Sequence, residues 1–219
     1  MTHNGTMQAS LIFFLFSILL ATGVCLECEF CSSQTANCKG LSQLCTPSED
    51  VCLTLTIETI VEDAVVIIAT YKGCTRSVHC SRSPMTFTFP LKRKRRASKC
   101  CRKDLCNRGM VTLPKFGIRP NGLKCPGCIS QDPSCPPTEL IHCHGWEDHC
   151  VYYNVDVEQG GMIYSHVKRG CGTRNSCMHH SRVFGVPGKF METYKKAQCT
   201  PAPRIHTKHR HSHKNRDSG

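Results

Sequence analysis

Apolar and polar residues alternate one by one through the two longest stretches that lie between closely spaced cysteines. In VCLTLTIETIVEDAVVIIATY, residues 51–71, Leu53, Leu55, Ile57 and Val61 fall on one face of an extended chain. Glu62-Asp63 supplies a turn, and Ala64 to Tyr71 returns with many β-branched residues. Residues 151–168 repeat the design. Val151, Tyr153, Val155 and Val157 share a face, and Gln159-Gly160-Gly161 forms the turn. Each stretch predicts a long β-hairpin, which is marginal alone in water and needs bracing at its base and further strands beside it. No useful length of helical periodicity interrupts this pattern. Leu11–Leu20, LIFFLFSILL, is instead a continuous apolar run that suits a signal-peptide core and is too short to span a bilayer.

Two cleavage points fit that leader. Cutting after Gly23 leaves Val24 first, and cutting after Cys25 leaves Leu26 first. The second is preferred. The chain has 19 cysteines, and losing Cys25 leaves an even number, as full pairing in an exported protein requires. The alternative, Cys25 retained as a free thiol, stays open. No second apolar run of membrane length follows, and the C-terminus RIHTKHRHSHKNRDSG is polar and basic, without the hydrophobic tail of a lipid-anchor signal. The expectation is a secreted, extracellular protein with no membrane anchor.

The cysteines carry an internal repeat. From Cys28 the steps through Cys31, Cys38, Cys45, Cys52, Cys74, Cys80 and Cys100 are 3, 7, 7, 7, 22, 6 and 20 residues. From Cys125 the steps through Cys128, Cys135, Cys143, Cys150, Cys171, Cys177 and Cys199 are 3, 7, 8, 7, 21, 6 and 22. Local text repeats as well: LECEFC matches LKCPGC, and Lys72-Gly73-Cys74 matches Arg169-Gly170-Cys171. The first copy alone continues with Cys101 and Cys106. The expected organisation is a signal peptide over 1–25, a ten-cysteine domain over 26–109 and a Pro- and Gly-bearing linker over 110–122. An eight-cysteine domain over 123–199 and a disordered basic tail over 200–219 follow. With aromatic residues at only 7%, covalent bracing is expected to replace a large core in each domain.

The L-x-C-x-x-C opening at Leu26 and the CCRKDLCN close at Cys100–Asn107 resemble the lymphocyte-antigen and urokinase-receptor family. The resemblance runs to Cys199 and implies an all-β, disulfide-rich fold of two tandem three-finger domains. It also implies the pairing. In the first domain Cys28 joins Cys52, Cys31 joins Cys38, Cys45 joins Cys74, Cys80 joins Cys100, and Cys101 joins Cys106. In the second, Cys125 joins Cys150, Cys128 joins Cys135, Cys143 joins Cys171, and Cys177 joins Cys199. After Cys199 the chain departs from the pattern, with no final cysteine loop and no terminal Asn. A ten-plus-eight plan is similar to that of gamma-type phospholipase A2 inhibitors, of the related inhibitor and LY6/PLAUR domain proteins, and of salamander courtship-pheromone precursors. Glycosylation does not carry over, since the one N-x-S/T site is Asn4-Gly5-Thr6 in the leader.

Charge adds one local feature. The net charge is +12, and the excess is concentrated in the run Lys92, Arg93, Lys94, Arg95, Arg96 and in the tail. Lying between Cys80 and Cys100, the run belongs to the third finger. It reads as a polyanion site for heparan-type glycans, as a processing site cut after Arg96, or as a solvated loop. Phe87 and Phe89 just before it read as a lipid or protein contact, or as core. The leader sets nucleic acid aside as a partner. His206, His209, His211 and His213 could chelate a metal or charge below about pH 6.5, but read better as part of a solubilising tail.

No catalytic, cofactor or metal site is expected. The C-x-x-C pairs fit the repeat, so they read as disulfides and not as zinc or redox pairs. CCRKDLC is similar to the CC-x-x-H-D-x-C helix of secreted phospholipase A2 itself, but Lys103 stands where that motif has its histidine, and Asp104 alone cannot serve as its base. The leading expectation is a secreted inhibitor-like protein that binds an extracellular protein stoichiometrically, with secreted phospholipase A2 as the candidate. The alternatives are a signalling or pheromone-like factor and a polyanion-binding extracellular protein.

Overall fold

The computed structural model describes residues 25–62, 64–80, 83–177 and 183–204. The first repeat supplies strands β1 (Glu27–Ser33), β2 (Leu41–Leu44), β3 (Val51–Val61), β4 (Val65–Thr75), β5 (Met85–Phe89) and β6 (Lys92–Cys101). The second supplies β7 (Pro120–Ser130), β8 (Glu139–His144), β9 (Glu147–Gln159), β10 (Met162–Thr173), β11 (Val183–Val186) and β12 (Phe190–Pro201). The helical turns among the described residues are two short 3-10 segments at matching points of the repeat, Ser77–His79 and Arg174–Ser176. None is long and apolar enough to cross a membrane.

The two long hairpins form where alternation places them. Val51 pairs with Thr75 and Val61 with Val65, so β3 and β4 run in register for their whole length. Glu62 at the turn has φ 51, and Asp63 lies outside the described residues. In the second hairpin Gly160 and Gly161 both have positive φ, 59 and 79, the geometry that tight antiparallel turns require and glycine supplies without strain.

Nine disulfides join Cys28–Cys52, Cys31–Cys38, Cys45–Cys74, Cys80–Cys100, Cys101–Cys106, Cys125–Cys150, Cys128–Cys135, Cys143–Cys171 and Cys177–Cys199. Cys25 is exposed and free. Bridges at the hairpin bases pack on one another: the sulfurs of Cys28 and Cys45 lie 3.2 Å apart. After Cys106 the chain clamps β1 to β3. Asn107 Oδ1 accepts from Glu29 N at 2.9 Å, and its Nδ2 donates to Glu29 O at 2.8 Å and to Leu53 O at 3.4 Å. On the polar face of β3, Thr54 donates to Asn107 O at 3.1 Å and Thr56 pairs with the Thr70 hydroxyl at 3.1 Å, so both are as buried as the leucines opposite.

The repeats do not fold as separate beads. Strand order is β11-β12-β9-β10-β5-β6-β3-β4-β1-β2, with β7 bonded to β10 and β8. The junction is β5 on β10, where Thr88 pairs with Cys171 and Phe87 with Gly172. On the far side β11 comes round to β4 by side-chain contact. Tyr71 stacks on Phe190 with centroids 4.9 Å apart, and Gln159 Nε2 donates to the Tyr71 hydroxyl at 2.7 Å. Eight strands, from β11 through β4, thus ring one core. That core draws Leu53, Leu55, Ile57, Tyr71, Met85, Phe87 and Phe89 from the first repeat and Val151, Tyr153, Val155, Val157, Phe184, Val186, Phe190 and Tyr194 from the second.

The repeated basic-Gly-Cys text acquires a reason here. A Cβ on Gly170 would lie 2.2 Å from the Thr88 carbonyl oxygen, and one on Gly73 would lie 2.5 Å from Val186 Cγ1. Each glycine permits the partner repeat's third finger to approach closely, one at each seam of the ring.

Two expected boundaries move. Pro120–Gly122, placed in the linker, already belong to β7. The tail does not begin at Thr200: β12 continues to Pro201, Ala202 N donates to Asp148 O at 2.9 Å, and Arg204 bridges Leu123. The residues before Cys25, expected to be a leader, and the histidines from His206 onward lie outside the described residues.

Candidate functional site

The basic run is not an exposed loop. Lys92 to Arg96 open β6, and strand alternation splits them between two faces. Lys94 and Arg96 point into the ring, Lys92 stands on the same face at its mouth, and Arg93 and Arg95 point out. On the outer face both guanidiniums lie over the Phe116 ring, 4.7 and 4.9 Å from its centroid. Arg93 also donates to Gly117 O at 2.6 Å, and Arg95 donates to Pro114 O at 2.9 Å. Arg95 completes a bidentate pair with Glu58 at 2.8 Å to each oxygen. The connecting segment between the repeats is therefore strapped down by the cations expected to face a glycan. Of the five, only Lys92 is exposed. The polyanion patch and the solvated loop are both corrected: a strand with two packed faces cannot offer five adjacent cations.

Phe87 and Phe89, considered as a partner contact, are core residues with 4% exposure each. They stack on one another, and Phe87 meets Tyr153 edge-on across the junction. Of the two readings open for this pair, the structure takes core packing.

Inside the ring sits an ion cluster that the sequence did not reveal. Glu192 of β12 accepts from Lys94 Nζ at 3.1 Å, from Arg96 Nη1 at 2.9 Å and from the Tyr194 hydroxyl at 2.6 Å. Arg96, 2% exposed, also lies over Phe184 at 4.1 Å. Burial alone would raise the Glu192 carboxyl, but Lys94, Lys168 and Arg96 overcome it and hold it well below the usual carboxylate range. Lys168 of β10 stands beside this cluster at 9% exposure. Its ammonium lies 5.5 Å from the Phe89 centroid and 5.9 Å from that of Tyr153, and among the described residues it has no hydrogen-bond or ion-pair partner. Burial, with Lys94 and Arg96 adding to it, pushes Lys168 down to about 7. His166, on the same strand, is pushed down to about 4 by burial and then by Lys168.

These groups line a cavity of 540 Å³ at one mouth of the ring. Its walls include Phe89, Ile129, Val157, Tyr164 and Phe190, and its polar residues include Lys92, Lys94, His166, Lys168 and Glu192. Thr59, paired with Ile67, also lines it, so the two long hairpins flank the opening.

The hairpin ends beyond that mouth are apolar and bare. Val65, Val66 and Ile67 are 56%, 59% and 53% exposed, and Met162, Ile163 and Tyr164 are 72%, 73% and 47% exposed. Successive strand residues point to opposite faces, so three exposed in a row mean that both faces of each tip stand clear of the body. Sequence reasoning missed these six residues because it treated the hairpins as framework. The signal was legible: apolar residues directly after turns, where polar ones are the rule. Glu192 and Lys168 gave no comparable signal, since partners from different repeats define them.

With this geometry in view, comparison with known proteins is direct. Residues 121–200 match the u-PAR/Ly-6 domain, and residues 26–108 match a domain described as phospholipase A2 inhibitor. The fold is thus that of a two-domain u-PAR/Ly-6 protein, all-β and held by disulfides. A gamma-type phospholipase A2 inhibitor of Elaphe quadrivirgata is 32% identical over 200 residues, covering 86% of this chain and 93% of that one. The chain belongs to the phospholipase A2 inhibitor family. Phospholipase A2 inhibitor NAI of Notechis ater is 28% identical over 90% of this chain and 97% of its own. Mouse TEX101, a solved structure, aligns at 18% identity with a TM-score of 0.39, covering 82% of this chain and 99% of that one.

Proposed function

We propose that this chain is an exported inhibitor of secreted phospholipase A2 that works by stoichiometric binding and not by chemistry. Membership of the phospholipase A2 inhibitor family along nearly the whole chain carries the reading. The apolar run before Cys25 is its export signal. The contact surface is the pair of bare tips, Val65–Ile67 and Met162–Tyr164. Exposed apolar residues on a rigid frame bind with little ordering cost, because the hairpins are fixed before the partner arrives. Disulfides at the hairpin bases and the shared core supply that rigidity.

The test is titration of calcium-dependent secreted phospholipases with the purified, disulfide-bonded chain, following hydrolysis of phospholipid vesicles. Inhibition should saturate at a fixed molar ratio. Val66→Glu with Ile163→Glu should weaken inhibition by at least about tenfold, as for loss of central apolar contacts, without lowering thermal stability. Failure to inhibit any such enzyme at large molar excess would remove the reading. Unchanged inhibition by the tip variant would remove the tips as its surface.

A further inference from the structure

From the ring of strands and the charges at its mouth, we infer that this protein binds a single-chain amphiphile with an anionic head, a fatty-acid carboxylate or a lysolipid phosphate, inside the 540 Å³ cavity between the two repeats. Three observations converge. The first is shape. An eight-stranded ring leaves room for packed side chains or for one small ligand, and a cavity of several hundred Å³ at a barrel mouth is where small ligands lodge. The second is charge. Lys92, Lys94, Lys168 and Glu192 line this cavity, and Glu192 is already satisfied by Lys94, Arg96 and Tyr194. An arriving anion meets no free carboxylate there. The third is an unanswered donor. Lys168 is nine-tenths buried, faces the cavity and finds no acceptor among the described residues. Its ammonium opens on the cavity, where a bound carboxylate or phosphate would give it an acceptor that the protein does not.

The rest of the cavity sets the class of ligand. Phe89, Val157 and Phe190 wall it with apolar surface, so a small inorganic anion would leave most of it unfilled, and a neutral lipid would leave Lys168 unanswered. The head sits at Lys168 and Lys94, and the chain lies along the apolar walls towards Ile129 and Tyr164 at the rim. The inference does not depend on phospholipase binding, and its test contains no phospholipase.

The experiment is displacement of cis-parinarate fluorescence from the intact secreted chain. Oleate, oleoyl lysophosphatidate, oleyl alcohol and inorganic phosphate serve as competitors. Oleate or the lysolipid should displace the probe at low micromolar concentration, and the tighter of the two assigns the head group. Oleyl alcohol should be at least about tenfold weaker, and millimolar phosphate should displace nothing, since charge-assisted bonds and apolar contact are both required. Lys168→Met should weaken oleate about tenfold while leaving oleyl alcohol unchanged. Ile129→Trp, at the exposed rim, should weaken both by narrowing access. Absence of saturable probe binding would overturn the inference. So would oleyl alcohol competing as well as both charged lipids, or phosphate alone displacing the probe. If Lys168→Met is not secreted, the comparison of acid with alcohol on the unaltered chain decides.

Discussion

Replacing Glu192 by Gln tests whether charge holds the two repeats together. The carboxylate belongs to the second repeat, and two of its three partners, Lys94 and Arg96, belong to the first. Glu192→Gln keeps the volume and removes the charge. It leaves Lys94, Arg96 and Lys168 facing one another inside the ring. Removing one partner of a buried ion pair costs about 3–5 kcal/mol, because the other charge stays buried without compensation. With three cations stranded here, the upper part of that range is expected. Arg96→Met together with Glu192→Met removes a charge of each sign and should cost less than Glu192→Gln alone, since apolar replacement of a whole buried pair is often neutral. The carboxyl's sign fixes the pH dependence. Its folded pKa lies below the ordinary 4.5, so the stabilisation is fully present above that value and is lost as pH falls towards the folded one. The gap between parent and Glu192→Gln should therefore close in acid. Guanidinium unfolding with disulfides intact, followed by near-ultraviolet circular dichroism, measures these differences. A Glu192→Gln loss under about 1 kcal/mol at pH 7, or a double variant worse than the single, would refute the account.

Gly170→Ala should destabilise by about 1–3 kcal/mol through overpacking against the Thr88 carbonyl, and thermal melts would show it. Asn107→Ala should cost at least about 2 kcal/mol, because it strips partners from buried groups of Glu29 and Leu53; amide exchange in β1 should rise with it. Lys168 has a folded pKa of about 7 against an ordinary 10.5. Between those values the unfolded chain holds a proton that the folded chain gives up, so this residue's contribution improves as pH rises through that window, by at most about 5 kcal/mol. Lys168→Met should thus be more stable than the parent at pH 6, and its advantage should shrink towards pH 10; an equal offset at both pH values would contradict this.

The frame was legible because its causes are local. Leu53, Leu55 and Ile57 alternate within one strand, and Gly160-Gly161 turns the next hairpin whatever surrounds it. The cysteine steps exposed the duplication, although pairing came only through the family resemblance. What the sequence hid was everything that one repeat does to the other. Five consecutive cations look like a patch until alternation divides them, and nothing near Lys94 in the chain announces Glu192, 98 residues away. Phe87 and Phe89 could not be settled between contact and core because the wall they pack on, Tyr153 included, belongs to the second repeat.

Closing the ring also settles where another chain could add a strand. Strands β3, β4, β6, β9, β10 and β12, of ten to thirteen residues, have neighbours on both sides, but β1 reaches β4 only at Thr70–Lys72, and β7 and β5 reach β10 only between Val167 and Gly172, so Val65–Ala69 and Met162–His166 each keep one open edge. The strands left at the margins are β2, β8 and β11, of four, six and four residues. Short margins are poor templates for edge-to-edge aggregation. They are equally poor docking rails, and the backbone left for a partner that extends the sheet is the open edge beside each hairpin tip. The binding proposed here would rest on the hairpin tips and the mouth of the ring. Under that proposal specificity would lie in a few exposed residues, Val65–Ile67 and Met162–Tyr164 among them, which could change without disturbing the buried faces of the strands that carry them.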